Sequence, residues 1–336
     1  MSVWKRAALV FVTLSMAGVV AVAILLARVD NFLKQPLFLE APTMYEVTQG
    51  SHYRGMLANW SQSGWIKDSW HSRLIGRLYP DLVHIKAGTY QLQPGTSVKD
   101  ALALVSTGSE FQYQLTFVEG ERYRDWRNRL LEAPGLKRTL DDLSDEAVMK
   151  ALGISDRSVE GWLFPDTYFY THGSTDLELL QRAYRAMQGH LTFAWEQRSP
   201  DIELKTPYEV LIMASIIEKE TGVDDERGLI SSVFDNRLKK GMRLQTDPTV
   251  IYGLGDAYQG DIKRVHLRQK TDYNTYVIHG LPPTPIAMPG IESLMAAVKP
   301  ESSEYYYFVA SGGGRHYFSK TLREHNQAVR KYILGK

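Results

Sequence analysis

The distribution of apolar and polar residues sets the N-terminal segment apart from the rest of the chain. Residues 7–27 carry no charge and consist mostly of Val, Leu, Ala and Ile, whereas Lys5, Arg6 and Arg28 flank them. A helix needs roughly 20 such residues to cross a hydrocarbon layer of about 30 Å. The pattern therefore predicts a transmembrane helix at 7–27, preceded by a cytoplasmic N-terminus at 1–6.

A cleavable signal peptide is the alternative interpretation of this segment, because Ala21-Val22-Ala23 matches an A-x-A cleavage site. The apolar run continues through Ala27, whereas a signal peptide turns polar after its cleavage site, so the pattern favours an uncleaved anchor. The basic residues before the helix hold the N-terminus in the cytoplasm by the positive-inside rule. This rule places the remainder of the chain on the far side of the membrane.

The exported part begins with a predicted linker at 28–44. Two short alternating segments that end in Gly turns then indicate strands, and two amphipathic segments between them indicate helices at 53–62 and 69–78. Residues 45–108 are thus predicted to form a β-α-α-β module with a following helix. This arrangement resembles the LysM-like fold, which binds glycans.

Residues 109–336 are predicted to form a second and larger α+β domain, since long amphipathic stretches broken by Gly and Pro fill this part of the chain. Its clearest element starts at Thr206, a helix N-cap that is followed by Pro and, three residues on, by Glu209. Gly222 supplies a stop, so the helix is predicted at 207–221.

Helix 207–221 is apolar around its whole circumference over residues 210–217, Ser215 excepted, which predicts burial on most sides. Glu218 and Glu220 follow in this apolar setting, where a carboxyl group either has a partner or takes a raised pKa. Small residues one turn earlier leave room beside Glu218, which favours it as the residue that faces a cavity. The alternative is that both glutamates form ion pairs near the helix end, with Lys219, Arg227 or Arg237.

Composition narrows the possible functions. The chain has no Cys, which excludes disulfides, thiolate zinc sites and thiol nucleophiles. Its formal net charge of +1 argues against nucleic-acid binding, and 44% apolar with 23% charged residues is typical of a globular protein. The nine His residues show no HExxH pattern, so neither a metal nor a cofactor is predicted. His316 and His325 are expected in structural or substrate hydrogen bonds, and glycines 312–314 in a hairpin turn.

Polar and aromatic residues gather in the loops after the predicted helix, at 235–237, 245–249, 273–276 and 280–286. Amides, hydroxyls and aromatic rings suit a carbohydrate site, because sugars present hydroxyl groups and flat apolar faces. Loops also carry such residues for turn formation alone, so composition does not decide between the two. The candidate substrate-binding residues are Ser215, Glu220, Gln245, Thr246, Asp247, Asn274 and Tyr276.

Seven motifs together resemble those of one family. The chain contains, in this order, EGWLFPDTY (160–168), SIIEKET (215–221), SVFDNRL (232–238), GMRLQTDPTVIYGLG (241–255), YNTY (273–276), GLPPTPIAMPG (280–290) and YYYFVASGGGRHYFSKTLREHN (305–326). These motifs, their order and the N-terminal arrangement resemble the endolytic murein transglycosylases of the MltG (YceG-like) family. They cover most of the chain from residue 160 to its end.

The resemblance implies that Glu218, the first Glu of SIIEKET, is the catalytic acid. It implies that the substrate is peptidoglycan, whose MurNAc–GlcNAc bond is cut within nascent strands to leave 1,6-anhydroMurNAc ends, with no cofactor. It also implies a bacterial inner-membrane protein with a periplasmic catalytic domain. Such a protein limits strand elongation and works beside the glycan polymerases, among them penicillin-binding proteins.

The expected reaction needs one carboxyl group that acts twice. Neutral Glu218 would protonate the glycosidic oxygen, and its carboxylate would then take the proton of the muramic C6 hydroxyl as that oxygen closes on C1. Asp247 or Asn274 could ease the positive charge of the transition state. Two alternatives stay open: a muramidase that uses Asp247 or Glu220 as second carboxylate and water as acceptor, and a non-catalytic glycan-binding scaffold for wall-synthesis enzymes.

Overall fold

The protein has a mixed α+β structure, here a computed structural model that describes residues 2–67, 70, 72–220 and 222–335. Its α-helices within this part of the chain are α1 (Val3–Lys34), α2 (Tyr53–Gln62), α3 (Ser72–Leu78), α4 (Val98–Thr107), α5 (Tyr123–Glu132), α6 (Asp145–Leu152), α7 (Asp176–Glu196), α8 (Pro207–Glu220), α9 (Arg227–Lys239), α10 (Asp247–Leu254), α11 (Ile291–Val298) and α12 (Leu322–Tyr332). The strands are β1 (Thr43–Val47), β2 (Gly88–Leu92), β3 (Tyr113–Thr116), β4 (Thr167–Tyr170), β5 (Tyr307–Gly312) and β6 (Arg315–Ser319). The predicted α+β class is confirmed.

The chain folds as two compact units, which divide between Tyr113 and Gln114, close to the predicted boundary after residue 108. The first unit contains α1 to α4 with the pair β1–β2. The second contains α5 to α12, the hairpin β5–β6 and the pair β3–β4, except for Tyr113 at the start of β3.

Helix α1 contains the whole predicted membrane span at 7–27. Its apolar part has a mean hydropathy of 2.7 and is 0% buried within the protein. By length and composition it is the single helix among the described residues that is apolar enough to cross a membrane. The structure is therefore consistent with one N-terminal membrane anchor.

The predicted linker at 28–44 differs from the structure, because α1 continues without a break to Lys34. Val29, Phe32 and Leu33 are at most 5% exposed and belong to the core of the first unit. These residues recur at the spacing of one helix face, so the helix is stabilised by packing there, whereas an unpacked segment would be free to bend. The end of the apolar helix is thus part of the first unit.

The first unit has the β-α-α-β order that the sequence predicted. β1 and β2 pair antiparallel, from Thr43 opposite Leu92 to Val47 opposite Gly88, and α2 and α3 lie between them in the chain. Helix α2 has the predicted bounds, whereas α3 is described from Ser72 onward and the predicted start at residue 69 lies outside the described residues. The likeness to a LysM fold stays a prediction.

Helix α8 runs through the centre of the second unit and packs against α7, α9, α10 and α11. Its eight residues from Val210 to Ile217 are all buried, as the apolar pattern predicted. The predicted N-cap is present, since Thr206 Oγ1 accepts a hydrogen bond from Glu209 N at 3.2 Å. The Glu209 carboxyl group accepts from Lys205 N and not from Thr206 N, so only half of the predicted capping box forms. Its predicted last residue, Thr221, lies outside the described residues. Glu218 and Glu220 follow in the last turn, beyond this fully buried stretch.

The C-terminal part of the second unit is the hairpin β5–β6 with α12 packed on it. The strands pair antiparallel, from Tyr307 opposite Ser319 to Gly312 opposite Arg315. Gly313 and Gly314 have φ values of 61° and 75°, which residues with a Cβ rarely adopt. The predicted hairpin turn at this Gly run is confirmed.

Candidate active site

Glu218 lies in the last turn of α8, where the helix leaves the core, and its side chain is partly exposed. Its Oε2 accepts a hydrogen bond from the backbone N–H of Gly290 at 3.0 Å. No described residue forms a hydrogen bond with Oε1. One oxygen is therefore held by the backbone, while the other is available to a ligand.

Two loops pass beside the Glu218 carboxyl group, and each presents a glycine to it. A Cβ added to Gly120 would lie 3.7 Å from Glu218 Cγ, while Gly290 donates the hydrogen bond described above. The loops are joined by backbone hydrogen bonds of 2.9 Å, from Gly120 N to Met288 O and from Met288 N to Glu121 O. Because both residues lack side chains, the two loops approach the Glu218 carboxyl group closely, and Gly290 N holds its Oε2.

A second carboxyl group, that of Glu119, also lies against Gly290. A Cβ on Gly290 would be 2.0 Å from Glu119 Oε1, a separation that real atoms do not adopt. A side chain at position 290 would therefore displace the Glu119 carboxyl group. Sequence reasoning missed Glu119, because a Glu before a Gly turn has no periodic signal of its own.

Ser215 connects α8 to the loop that carries Gly290. The side chain is 0% exposed, and its Oγ accepts a hydrogen bond from Ile286 N at 3.0 Å while it donates to Ile212 O at 2.7 Å. Ser215, a predicted binding residue, therefore lies inside the core, where it holds the loop at Ile286.

A cavity of about 420 Å³ lies on the side of α8 that carries Glu220. Residues 218 and 220 project to different sides of a helix, since successive residues are rotated by about 100°. Four predicted binding residues line this cavity, and Glu218 does not. The lining residues are Glu220, Arg237, Leu244, Gln245, Asp247, Tyr276, Tyr307, Phe308, Val309, Ala310, His316, Leu322, His325 and Val329.

Glu220 supplies this cavity with a carboxyl group of raised pKa. Burial raises the pKa of its carboxyl to about 7, and the nearby Asp247 adds to the rise, while the hydrogen bond from Thr246 opposes it. Thr246 is 2% exposed and its hydroxyl donates to Glu220 Oε1. Thr246 therefore holds Glu220 and is not itself part of the cavity wall.

Two further predicted residues, Tyr276 and Asp247, form a pair on the cavity wall. The Tyr276 hydroxyl donates to Asp247 Oδ1 at 2.7 Å. Burial, followed by this hydrogen bond, raises the pKa of Tyr276, so the phenol keeps its proton and stays a donor. Beside them, Gln245 has a φ of 50°, the one positive value among the described non-glycine residues. Backbone strain of this kind is concentrated at functional sites.

Asn274 is 1% exposed and serves the loop that carries Tyr276. Its amide donates to His266 O at 3.1 Å and to Gln269 O at 2.7 Å, and its Oδ1 accepts from Tyr276 N at 3.0 Å. All three polar positions of the side chain are thus used within the loop. The structure does not bring this predicted binding residue to the cavity surface.

Two of the cations considered as ion-pair partners of the glutamates bind backbone carbonyls. Lys219 Nζ donates to Gly120 O at 3.0 Å, and Arg237 donates to Tyr306 O and Leu244 O, each at 2.6 Å. Lys219 thereby holds the same loop that passes beside Glu218. At the C-terminal end of α8, these two cations therefore hold neighbouring loops through backbone carbonyl groups.

Glu160 is a buried acid that sequence reasoning did not single out, although it begins the motif EGWLFPDTY. It is 5% exposed, accepts hydrogen bonds from Tyr123 N at 3.0 Å and Tyr252 OH at 3.2 Å, and burial raises its pKa to about 7. It lines a separate cavity of about 470 Å³ together with Arg122 and Tyr252. Its partners come from distant parts of the chain, so no local pattern reveals its burial.

A larger cavity, of about 740 Å³, lies at the opposite end of α8 beside Tyr208, Leu281 and Pro282. No candidate catalytic or binding residue lines it. Cavity volume alone therefore does not identify the active site. The candidate carboxyl groups, Glu218 and Glu220, lie in the last turn of α8.

Comparison with known proteins adds independent observations. A family model described as the YceG-like family matches residues 45–331. A curated protein of Bacillus subtilis (strain 168), named endolytic murein transglycosylase, is 32% identical over 270 residues, which are 75% of this chain and 74% of that protein. A protein of the same name from Streptococcus pneumoniae (strain ATCC BAA-255 / R6) is 25% identical over 324 residues, which are 86% of this chain and 58% of that protein.

A solved structure is also similar to the chain. The crystal structure of a YceG-like protein from Listeria monocytogenes superposes with a TM-score of 0.54 at 30% sequence identity. The match covers 86% of this chain and 99% of that one.

Proposed function

Because the chain belongs to the YceG-like family, we propose that it is an endolytic lytic transglycosylase of murein, the peptidoglycan of bacterial walls. Two relatives with this name support the proposal. The observation that carries it is the carboxyl group of Glu218, which is partly exposed at the end of a buried helix and held by Gly290 N at 3.0 Å. Its substrate is a strand of alternating N-acetylglucosamine and N-acetylmuramic acid.

Glu218 acts as general acid and then as general base. Its proton passes to the glycosidic oxygen as the bond from that oxygen to C1 of the muramic residue breaks. The resulting carboxylate takes the proton of the C6 hydroxyl while O6 forms the new bond to C1, which leaves a 1,6-anhydro ring. Protons and bonds balance without water, and the carboxyl group returns to its starting state.

The glycine loops support this assignment, because they approach the Glu218 carboxyl group closely and hold it in place. Gly120 and Gly290 carry no side chains there, and the loops are fixed by hydrogen bonds to each other and to Ser215. A general acid must keep a defined position relative to the scissile bond, since small displacements lower the rate strongly. A partly exposed carboxyl group whose Oε2 is held by Gly290 N meets this requirement.

The cavity beside Glu220 binds part of the same strand. Its volume of about 420 Å³ lies in the range of small-ligand sites. Gln245, Asp247 and Tyr276 supply polar groups, while Tyr307 and Phe308 add aromatic surface to the wall. Glu218 and Glu220 are two residues apart on one helix, so a polymer can contact both sides of this helix end.

A muramidase is the rival reaction, in which water attacks C1 and a second carboxylate assists. Glu220 and Asp247 are the candidates from sequence, and both lie on the cavity side of α8. Mass spectrometry of the products from isolated sacculi distinguishes the reactions. We expect products lighter by one water than reducing muramic ends. Reducing ends would establish the muramidase instead, and sacculi left uncut would favour a scaffold that only binds glycan.

We further propose that α1 anchors the protein in the inner membrane with its N-terminus in the cytoplasm and both units in the periplasm. There the enzyme meets nascent strands, limits their elongation and works beside the glycan polymerases. The chain has no Cys, so single cysteines can be placed without background. An impermeant maleimide should label Gln93→Cys, an exposed position, in intact spheroplasts, and label Ser2→Cys only after lysis. The reverse pattern would overturn the orientation.

A further inference from the structure

The β5–β6 hairpin and α12 contribute two histidines to the wall of the 420 Å³ cavity. These are His316 on β6 and His325 on α12. The proposed mechanism uses neither of them. His316 differs from His325 in that its imidazole is held in one orientation by a buried acid.

Glu226 is that acid. It is 5% exposed and follows α8 by six positions, in a short 3-10 turn before α9. Its Oε2 lies 2.9 Å from His316 Nδ1, and it also accepts the backbone N–H of His316 at 3.0 Å. Glu226 thus contacts both the backbone N–H and the imidazole of His316.

The contact between Glu226 and His316 Nδ1 determines which ring nitrogen of His316 can bind a ligand. A carboxylate accepts hydrogen bonds, so His316 Nδ1 carries the proton and Nε2 of the neutral ring is left as an acceptor. No described residue forms a hydrogen bond with Nε2. Phe308 packs edge-on against the imidazole, with centroids 5.3 Å apart and the planes at 82°, so the ring is also restrained by packing.

We propose that His316 contacts the bound glycan through Nε2 and that Glu226 is the positioning residue that aims it. The proposal rests on the function proposed above, in which this cavity binds part of the strand. Sugar hydroxyl and acetamido N–H groups supply the donors that Nε2 requires. A carboxylate that orients a histidine through Nδ1 is a recurrent device for fixing the ring and its tautomer.

The competing explanation is that the pair only ties β6 to the turn before α9. Two substitutions distinguish the explanations, because one replaces the Nδ1 side of the imidazole and the other replaces the Nε2 side. His316→Asn keeps an N–H near the position of Nδ1, and so can keep the bond to Glu226, but it lacks the distal nitrogen. His316→Gln has a polar atom near the position of Nε2. His172→Asn is the matched control, since His172 is an exposed histidine in the same unit.

Binding is measured first, with the full-length chain in nanodiscs and with Glu218→Gln present so that strands stay intact. The probe is peptide-free glycan strands of alternating GlcNAc and MurNAc. We expect His316→Asn to weaken binding roughly 3- to 10-fold, the effect of one neutral hydrogen bond, and His316→Gln to weaken it less. His172→Asn should bind as the parent chain does. Equal affinities of the parent and His316→Asn chains would overturn the proposal.

Kinetics and stability then separate contact from structure. In the active chain, His316→Asn should raise KM by a similar factor with little change in kcat or in the unfolding temperature. Glu226→Gln should raise KM in the parent chain and have no further effect when His316→Asn is present. A lowered unfolding temperature with KM unchanged, or additive effects of the two substitutions, would overturn the proposal.

The two proposals fail in different ways. A parent chain that leaves glycan uncut contradicts the proposed function, while the binding comparison still tests His316. A parent chain that cuts glycan normally, together with a His316→Asn variant of unchanged affinity, contradicts the inference alone.

Discussion

Replacement of Glu218 by Gln is expected to lower the rate of strand cleavage by about 10² to 10⁴, the range typical for loss of a positioned general acid. Gln has nearly the same size as Glu, and its side-chain oxygen can accept the hydrogen bond that Gly290 N donates to Glu218 at 3.0 Å. The loops beside residue 218 should therefore keep their positions. It has no proton to give to the glycosidic oxygen. Initial rates of the full-length chain on isolated sacculi, followed by mass spectrometry, measure the loss.

Two further substitutions make this result specific. Glu196→Gln removes an exposed glutamate at the end of α7 and should leave the rate unchanged. Glu220→Gln removes the carboxyl group whose pKa is raised to about 7 and should lower the rate less than Glu218→Gln does. The reverse order, with Glu218→Gln active and Glu220→Gln inactive, would transfer the acid role to Glu220. Cells that contain only the Glu218→Gln enzyme should also accumulate longer glycan strands.

Helix α8 could be predicted because its signals are local. The capping residues, the apolar circumference and the polar end all lie within one stretch of chain, and the structure has the helix at Pro207–Glu220. The linker after the predicted membrane helix was predicted from a change in composition, which does not report tertiary packing. Val29 and Phe32 belong to one core cluster with residues of β1, β2 and α2 to α4, which are distant in sequence.

The candidate site could be predicted only in part, for the same reason. Gln245, Asp247 and Tyr276 belong to motifs of the resemblance and line one cavity. Ser215 and Asn274 have the side chains of a sugar site, yet their hydrogen bonds go to backbone groups of loops that pack on them. Residue type indicates which bonds a side chain can form, whereas the partner is chosen by the tertiary structure.

The buried acids show the same limit most clearly. Glu160 meets Tyr252 across 92 positions of sequence, and Glu226 meets His316 across 90. No window of the sequence contains both partners of either pair. The amino-acid pattern therefore identified the helix that carries the catalytic candidate, but not the contacts that fix its surroundings.

Glu160 and Glu220 should make the stability of the second unit depend on pH in an unusual direction. Burial raises the pKa of each carboxyl group from 4.5 to about 7, so the folded chain binds more protons than the unfolded chain between these values. Unfolding free energy must then fall as pH rises through this window. A rise of about 2.5 units corresponds to at most about 3 kcal/mol for each group.

Gln at either position removes the contribution of that carboxyl group to the pH dependence, because an amide does not ionise. At pH 5 Glu160→Gln and Glu220→Gln should be about as stable as the parent chain, and at pH 8 each should be more stable, by up to about 3 kcal/mol. Guanidinium unfolding of the full-length chain in detergent micelles at pH 5, 6.5 and 8 measures the difference. Glu196→Gln, at an exposed position, should follow the parent at every pH. If the unfolding free energy of the parent chain did not change between pH 5 and pH 8, the prediction would be contradicted. Glu160 is only 5% exposed, and ionisation of a buried carboxyl group costs free energy, so we expect a change.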